Sequence, residues 1–127
     1  MRLFALEWKP IIESEIKSLI TAAADRMEIK PRRLWEQIKI EPVKWQQHPW
    51  GDEGGGFWAV AVFGQTALWY NDIEEGFNRS TYTNYGVIDQ YWCNQDQLEW
   101  VLHHVHGTIE TGQDQALSLG PPMPLTD

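Results

Sequence analysis

The sequence predicts an α+β domain in which two N-terminal helices precede an antiparallel sheet of about three to five strands and a C-terminal helix packs on that sheet. Apolar residues recur at helical spacing toward both ends of the chain, whereas the middle carries runs of Val, Trp, Tyr and Phe that are typical of strands. The length of 127 residues suits one domain. We therefore expect a single domain over residues 1–110 and a tail of loop composition over residues 111–127.

Two helices are predicted before the sheet. The first covers Pro10–Met27, where apolar side chains share one stripe and polar side chains lie opposite, and Pro10 suits its first turn. The second covers Lys30–Ile38, and Pro42 prevents it from continuing, so residues 40–46 are expected to form an irregular edge strand. The stripe of the first helix consists of Ile12, Ile16, Leu19, Ile20, Ala23 and Met27.

A β-hairpin is the strongest tertiary prediction from the sequence. Phe57–Phe63 is apolar on both alternating faces, as in a strand that is covered on two sides. Gly64 and Gln65 follow and fit a type II′ turn, which joins this strand to Thr66–Asn71. The resulting pairs are Phe63 with Thr66, Val60 with Trp69, and Trp58 with Asn71.

The remaining elements follow the hairpin. Residues 78–85 have the Thr and Tyr content of a strand and one polar face, which we expect nearer to solvent. Residues 86–93 fit either a bend away from that strand or a further strand. A third helix is predicted to use Asn94 as its N-cap and to continue to about Gly107, with Trp100 on its outer side.

Composition and charge limit the class of protein. A formal charge of −8 and a pI near 4.9 are the opposite of what nucleic-acid binding requires, and they suit a basic partner or simple solubility. Cys93 is the only cysteine, so no intrachain disulfide forms and a reducing, cytoplasmic compartment is expected. No apolar run reaches about 18 residues and no signal peptide is evident, so we expect no membrane association. No motif predicts a cofactor.

Two acidic loops are predicted to share one end of the sheet. Residues 48–56 enter the first strand of the hairpin and residues 71–77 leave the second, so both segments emerge at the same end. Trp100 is a further candidate because it faces outward from its helix. The predicted binding residues are His48, Trp50, Asp52, Glu53, Asp72, Glu74, Glu75 and Phe77 in the loops, together with Trp100.

Several functions are compatible with these loops. Phosphate binding is disfavoured because the glycines at 54–56 follow two acids and lack the lysine and helix of a phosphate-binding loop. The carboxylates suit a divalent cation or acid–base catalysis, but their spacing specifies neither. Acidic and aromatic residues together favour a surface for a basic protein. We therefore expect a non-enzymatic binding protein, such as an immunity-type inhibitor of a basic nuclease, with a small hydrolase or divalent-metal-dependent enzyme as the alternative.

Overall fold

The computed structural model describes residues 8–113 and residue 120. Within them the chain forms three helices and a four-stranded antiparallel sheet whose strands lie in chain order, which confirms the predicted α+β architecture. None of the described helices is long and apolar enough to cross a bilayer. The elements are α1 (Glu13–Arg26), α2 (Ile29–Ile38), β1 (Lys39–Trp45), β2 (Phe57–Phe63), β3 (Thr66–Asn71), β4 (Gly76–Thr81) and α3 (Leu98–Thr111).

The helices cover one face of the sheet and form the first of two apolar cores with it. Val60, Leu68 and Phe77 from the sheet pack among side chains of all three helices. Burial of one aliphatic or aromatic side chain stabilises a fold by roughly 1.5–3 kcal/mol, so this layer contributes much of the stability. The buried helix residues are Ile16, Ala23, Ala24, Trp35, Ile38, Leu98, Val101, Leu102 and Val105.

Helix α1 is shorter than the pattern predicts. It begins at Glu13, with Ile12 as the N-cap, so Pro10 precedes the helix instead of occupying its first turn. The chain before Ile12 is instead held by hydrogen bonds from Ile11 to Asp72 and from Trp58 of the sheet to Ile11. The buried stripe is correspondingly narrower, because the side chains of Ile12 and Leu19 are exposed.

The β2–β3 hairpin has the predicted turn but changes register along its length. Gly64 has a φ of 55° while Gln65 stays outside the left-handed region, as a type II′ turn requires. Phe63 pairs with Thr66 as predicted. A β-bulge between Ala59 and Ala61 then shifts the register by one residue. The predictions for Val60 and Trp58 are therefore wrong: the observed pairs are Ala59 with Trp69 and Trp58 with Tyr70.

The second face of the sheet is covered by residues 82–97, which belong to neither a helix nor one of the four strands. Ile88 and Tyr91 from this segment pack on Trp45, Phe57 and Trp69 to form the second core. The segment bends away from β4 and returns across the sheet, which resolves the two alternatives that the sequence left open for residues 86–93.

A seam of buried polar side chains fastens this segment to β4. Asn78 accepts the backbone N–H of Asn94 at 2.9 Å and donates to its carbonyl at 3.1 Å. The Ser80 hydroxyl donates to the carbonyl of Gln90 at 2.7 Å and accepts the Trp69 indole N–H at 2.9 Å. The polar face of β4 is therefore buried and hydrogen-bonded, not turned to solvent as the sequence pattern predicts.

Helix α3 begins later and ends later than predicted. Its N-cap is Gln97 and not Asn94, because the backbone of Asn94 is engaged by Asn78. It continues past Gly107 to Thr111, where Gly112 adopts the left-handed conformation that commonly ends a helix. Of the predicted tail over residues 111–127, residues 114–119 and 121–127 lie outside the described part of the chain.

Candidate functional site at the acidic end of the sheet

The 48–56 loop is built from backbone hydrogen bonds between its own residues. The N–H groups of Gly51, Gly55 and Gly56 donate to the carbonyls of Gln47, Asp52 and Gly51, respectively. Gly56 has a φ of 106°, and a Cβ atom there would overlap the carbonyl of Trp45. These glycines therefore allow a compact entry into β2, and the three bonded N–H groups are not directed at a ligand.

Side chains anchor this loop at two points. The Lys44 ammonium donates to the Gly54 carbonyl at 2.5 Å and lies over the Trp58 ring, 5.3 Å from its centre. His48 Nδ1 and Asp52 Oδ2 are 2.5 Å apart on the surface, where both side chains are largely exposed. The His48–Pro49 peptide is cis. Because Lys44 and His48 anchor the loop, Asp52 and Glu53 project from a defined backbone.

The second acidic loop is a tight turn organised by Asn71. The buried Asn71 carbonyl oxygen accepts the N–H groups of Ile73 and Glu74 at 3.0 and 3.1 Å, and its amide donates to the Trp92 carbonyl at 3.0 Å. Glu75 has a φ of 60° and is the one described residue other than glycine in the left-handed region. A non-glycine residue in this region carries backbone strain of about 1–2 kcal/mol.

The segment before α1 joins the two loops, which sequence reasoning missed. The Trp8 indole N–H donates to the carbonyl of Asp72 at 3.2 Å, and its ring lies against Gly54, 3.3 Å from where a Cβ atom would stand. The Ile11 N–H donates to the Asp72 carboxylate at 2.9 Å, and the Ile11 carbonyl accepts the Trp58 indole N–H at 2.9 Å. Both loops thus meet the segment of residues 8–11 at the same end of the sheet.

A groove of about 490 Å³ opens between this segment and the Asp72–Glu75 turn. Of the residues that the structure describes, three carboxylates line it, and Lys9 is the only Lys or Arg side chain. Tyr70 forms part of its wall, and burial, followed by the charges of Glu75 and Asp72, raises the pKa of Tyr70. The groove residues are Trp8, Lys9, Pro10, Ile11, Glu15, Tyr70, Asp72, Ile73 and Glu75.

The structure brings most of the predicted binding residues to this end of the sheet. The exceptions are Phe77 and Trp100. Phe77 is buried against Tyr70 in the first core, so it is not part of a surface. Trp50 remains 43% exposed and stacks on Tyr91 at 4.8 Å. The Tyr91 ring is nearly buried, and burial raises its pKa to about 12.

Trp100 belongs to a different surface. It is exposed on α3 and shares a groove of about 340 Å³ with Arg26 and Pro31, where α1 ends and α2 begins. The acidic loops contact residues 8–11, which precede the N-terminus of α1, whereas the Trp100 groove lies at its C-terminus. The helix is 14 residues long, so its two ends are about 21 Å apart. Trp100 is therefore not part of the acidic end.

Three glutamates of the two loops have no ion-pair partner in the described part of the chain. Among the described residues, Glu53, Glu74 and Glu75 form no ion pair. Arg79 is the only Lys or Arg after Lys44 in the sequence. Within residues 8–113, no three His, Cys, Asp or Glu side chains are grouped as a metal ion would require. The site is thus an acidic surface with a groove.

Comparison with known proteins adds no assignment to these residues, since no protein-family model, curated protein or solved structure matches the chain.

Proposed function

We propose that this protein binds a basic segment of a partner protein through the acidic end of its sheet. The observation that carries the proposal is the contact of Trp8 with both Gly54 and Asp72, which unites two acidic loops around one segment. Carboxylates concentrated on one surface attract a basic partner and orient it during association. The half-exposed Trp50 supplies the aromatic area that interface centres use.

An immunity-type inhibitor that covers the basic active site of a nuclease is the most specific form of this function. A small acidic domain suits that task because carboxylates on its surface replace the phosphates that such an active site attracts. The alternative, a small hydrolase or divalent-metal-dependent enzyme, has less support. The Asp72 carboxylate already accepts the Ile11 N–H, and His48 and Asp52 lie on the surface instead of within an enclosed cleft.

The proposal is tested by cross-linked capture of partners from the native cell at low and high salt. The test variant is Glu53→Gln/Glu74→Gln/Glu75→Gln, which removes three charges from the acidic end. The matched control is Asp25→Asn/Glu28→Gln/Glu41→Gln, which removes three exposed charges from the first half of the chain. We expect wild type and the control to capture the same Lys- and Arg-rich protein, and the test variant to lose it. High salt should weaken the capture because it screens exposed charges.

Two results would contradict the proposal. Retention of the same partner by the test variant would show that the acidic end is not the recognition surface. Equal loss by both variants would show that net charge alone, and not its position, governs binding.

A further inference from the structure

Tyr70 is a polar side chain whose hydroxyl has no hydrogen-bond partner within residues 8–113. It is 8% exposed, and its ring packs on Phe77 with ring centres 4.8 Å apart. No described residue forms a hydrogen bond with its hydroxyl. Gln47 Oε1 is the one fully buried side-chain oxygen or nitrogen without a partner among the described residues, so the Tyr70 hydroxyl still reaches the groove surface. Nearly buried polar groups usually have partners, and this one faces a groove instead.

The groups around that hydroxyl are mainly anionic. Glu75 and Asp72 are close enough for their charges to act on the Tyr70 hydroxyl, and Glu15 lines the groove from α1. Lys9 lines the same groove and offsets one of these charges, and its side chain is exposed. The acceptors that line the groove belong to the sheet, to a turn and to a helix.

We propose that this groove receives an arginine side chain of the basic partner, with its guanidinium held by the Tyr70 hydroxyl and by the carboxylates of Asp72, Glu75 and Glu15. This inference rests on the proposed function, of which it names the recognised side chain. A guanidinium has five N–H donors in a planar fork and so serves acceptors that converge from several directions. A lysine ammonium is a compact charge with three donors and matches this arrangement less well. A volume of about 490 Å³ is ample for one such side chain.

The test uses short capped peptides that differ in one side chain: acetyl-Gly-Arg-Gly-amide, its lysine analogue and its citrulline analogue, which is nearly isosteric with arginine and uncharged. Binding is followed by NMR through the Trp8 indole N–H and the amides of residues 72–75. We expect the arginine peptide to shift these resonances with a dissociation constant in the millimolar range, lysine to bind several-fold more weakly and citrulline not to bind. Equal binding of the lysine or citrulline peptide would overturn the proposal.

The variant Tyr70→Phe removes the hydroxyl and keeps the aromatic ring, so it tests the hydroxyl alone. Loss of one hydrogen bond to a charged group should weaken binding of the arginine peptide by about tenfold. The melting temperature should stay unchanged, because the hydroxyl bonds to no described residue. Tyr85→Phe is the matched control, since Tyr85 is exposed beside Trp45 on the other face of the sheet, and it should leave binding unchanged. Unaltered peptide binding by Tyr70→Phe, or a lowered melting temperature, would contradict the inference.

A variant that lacks residues 2–7 tests whether the ligand of the groove comes from a partner or from the protein's own N-terminal residues. It should bind the arginine peptide as wild type does. Peptide binding that appears only after this removal would mean that the protein's own N-terminal residues fill the groove, which overturns a partner arginine as the ligand. If no arginine peptide binds while the Glu53/Glu74/Glu75 variant still loses its partner, the groove inference fails and the proposed function stands. If the peptide binds but that variant keeps its partner, the proposed function fails instead.

Discussion

At the scale of single residues, Glu75 combines an unfavourable backbone conformation with a position on the proposed binding groove. Its φ of 60° is one that glycine adopts freely and that costs other residues about 1–2 kcal/mol. Strained residues persist where the surrounding structure holds them, and they concentrate at functional sites. The glutamate at this position therefore lowers the free energy of unfolding relative to a glycine.

We expect Glu75→Gly to leave the free energy of unfolding unchanged or to raise it by up to about 1 kcal/mol, because relief of strain exceeds the added entropy of the unfolded chain. Urea denaturation measures this change. The same variant should bind the arginine peptide more weakly. Glu53→Gly is the control, since Glu53 has no positive φ, and it should lower stability slightly. A clear loss of stability in Glu75→Gly would show that the glutamate side chain supports the turn.

At the scale of the elements, local patterns predicted the helices and strands, while long-range contacts determined where they end. The Gly64 turn fixed the pairing of Phe63 with Thr66, but nothing in an all-apolar strand marks the bulge that shifts Trp58 by one residue. Phe77 was assigned to a loop because β4 begins two residues earlier than its polar pattern indicates. The contact between Trp8 and Asp72 spans 64 residues of sequence and no periodicity encodes it. The sequence therefore predicted that the two loops share one end of the sheet, but it could not predict the groove between them and residues 8–11.

Within the buried polar seam, Asn78 attaches residues 88–96 to β4 through two hydrogen bonds to the backbone of Asn94. We expect Asn78→Ala to lower the free energy of unfolding by about 3 kcal/mol, because it removes both hydrogen bonds between the Asn78 side chain and the backbone of Asn94. Chemical denaturation monitored by tryptophan fluorescence measures the loss. Asn84→Ala, at an exposed position, should change stability little. Similar stability in the two variants would mean that water satisfies the Asn94 groups equally well.

At the scale of the whole molecule, the first and the last of the described helices are joined by an ion pair. Arg26 of α1 donates two hydrogen bonds to Glu99 of α3, at 2.6 and 3.1 Å. The hydrogen bond from Arg26 lowers the pKa of Glu99. A carboxylate with a lowered pKa in the folded state stabilises that state above its ordinary pKa, and this contribution is lost as the pH falls through the folded-state pKa.

We therefore expect wild type to be more stable than Glu99→Gln at pH 7, and the difference to shrink toward zero as the pH falls below about 4. Thermal unfolding of both proteins across this range measures the difference. Glu28→Gln, at an exposed residue, is the control and should change stability little at pH 7. A difference that persists unchanged at pH 3 would show that shape, and not charge, makes Glu99 stabilising.

The coverage of β4 by residues 82–97 also limits how this protein meets other chains. An open sheet edge can accept an added strand from a neighbour, which leads to self-association or to strand-based recognition. Along β4, the Phe77 N–H donates to the Asp96 carbonyl. The Thr81 N–H donates to the Gln90 side chain, and the Thr81 carbonyl accepts the Asp89 N–H. These backbone groups of the edge strand are therefore already hydrogen-bonded. At the opposite edge, β1 contains Pro42, an irregular register and exposed charges. Both edges of the described sheet are thus poorly suited to accept an added strand, so the partner proposed above would be recognised through side chains.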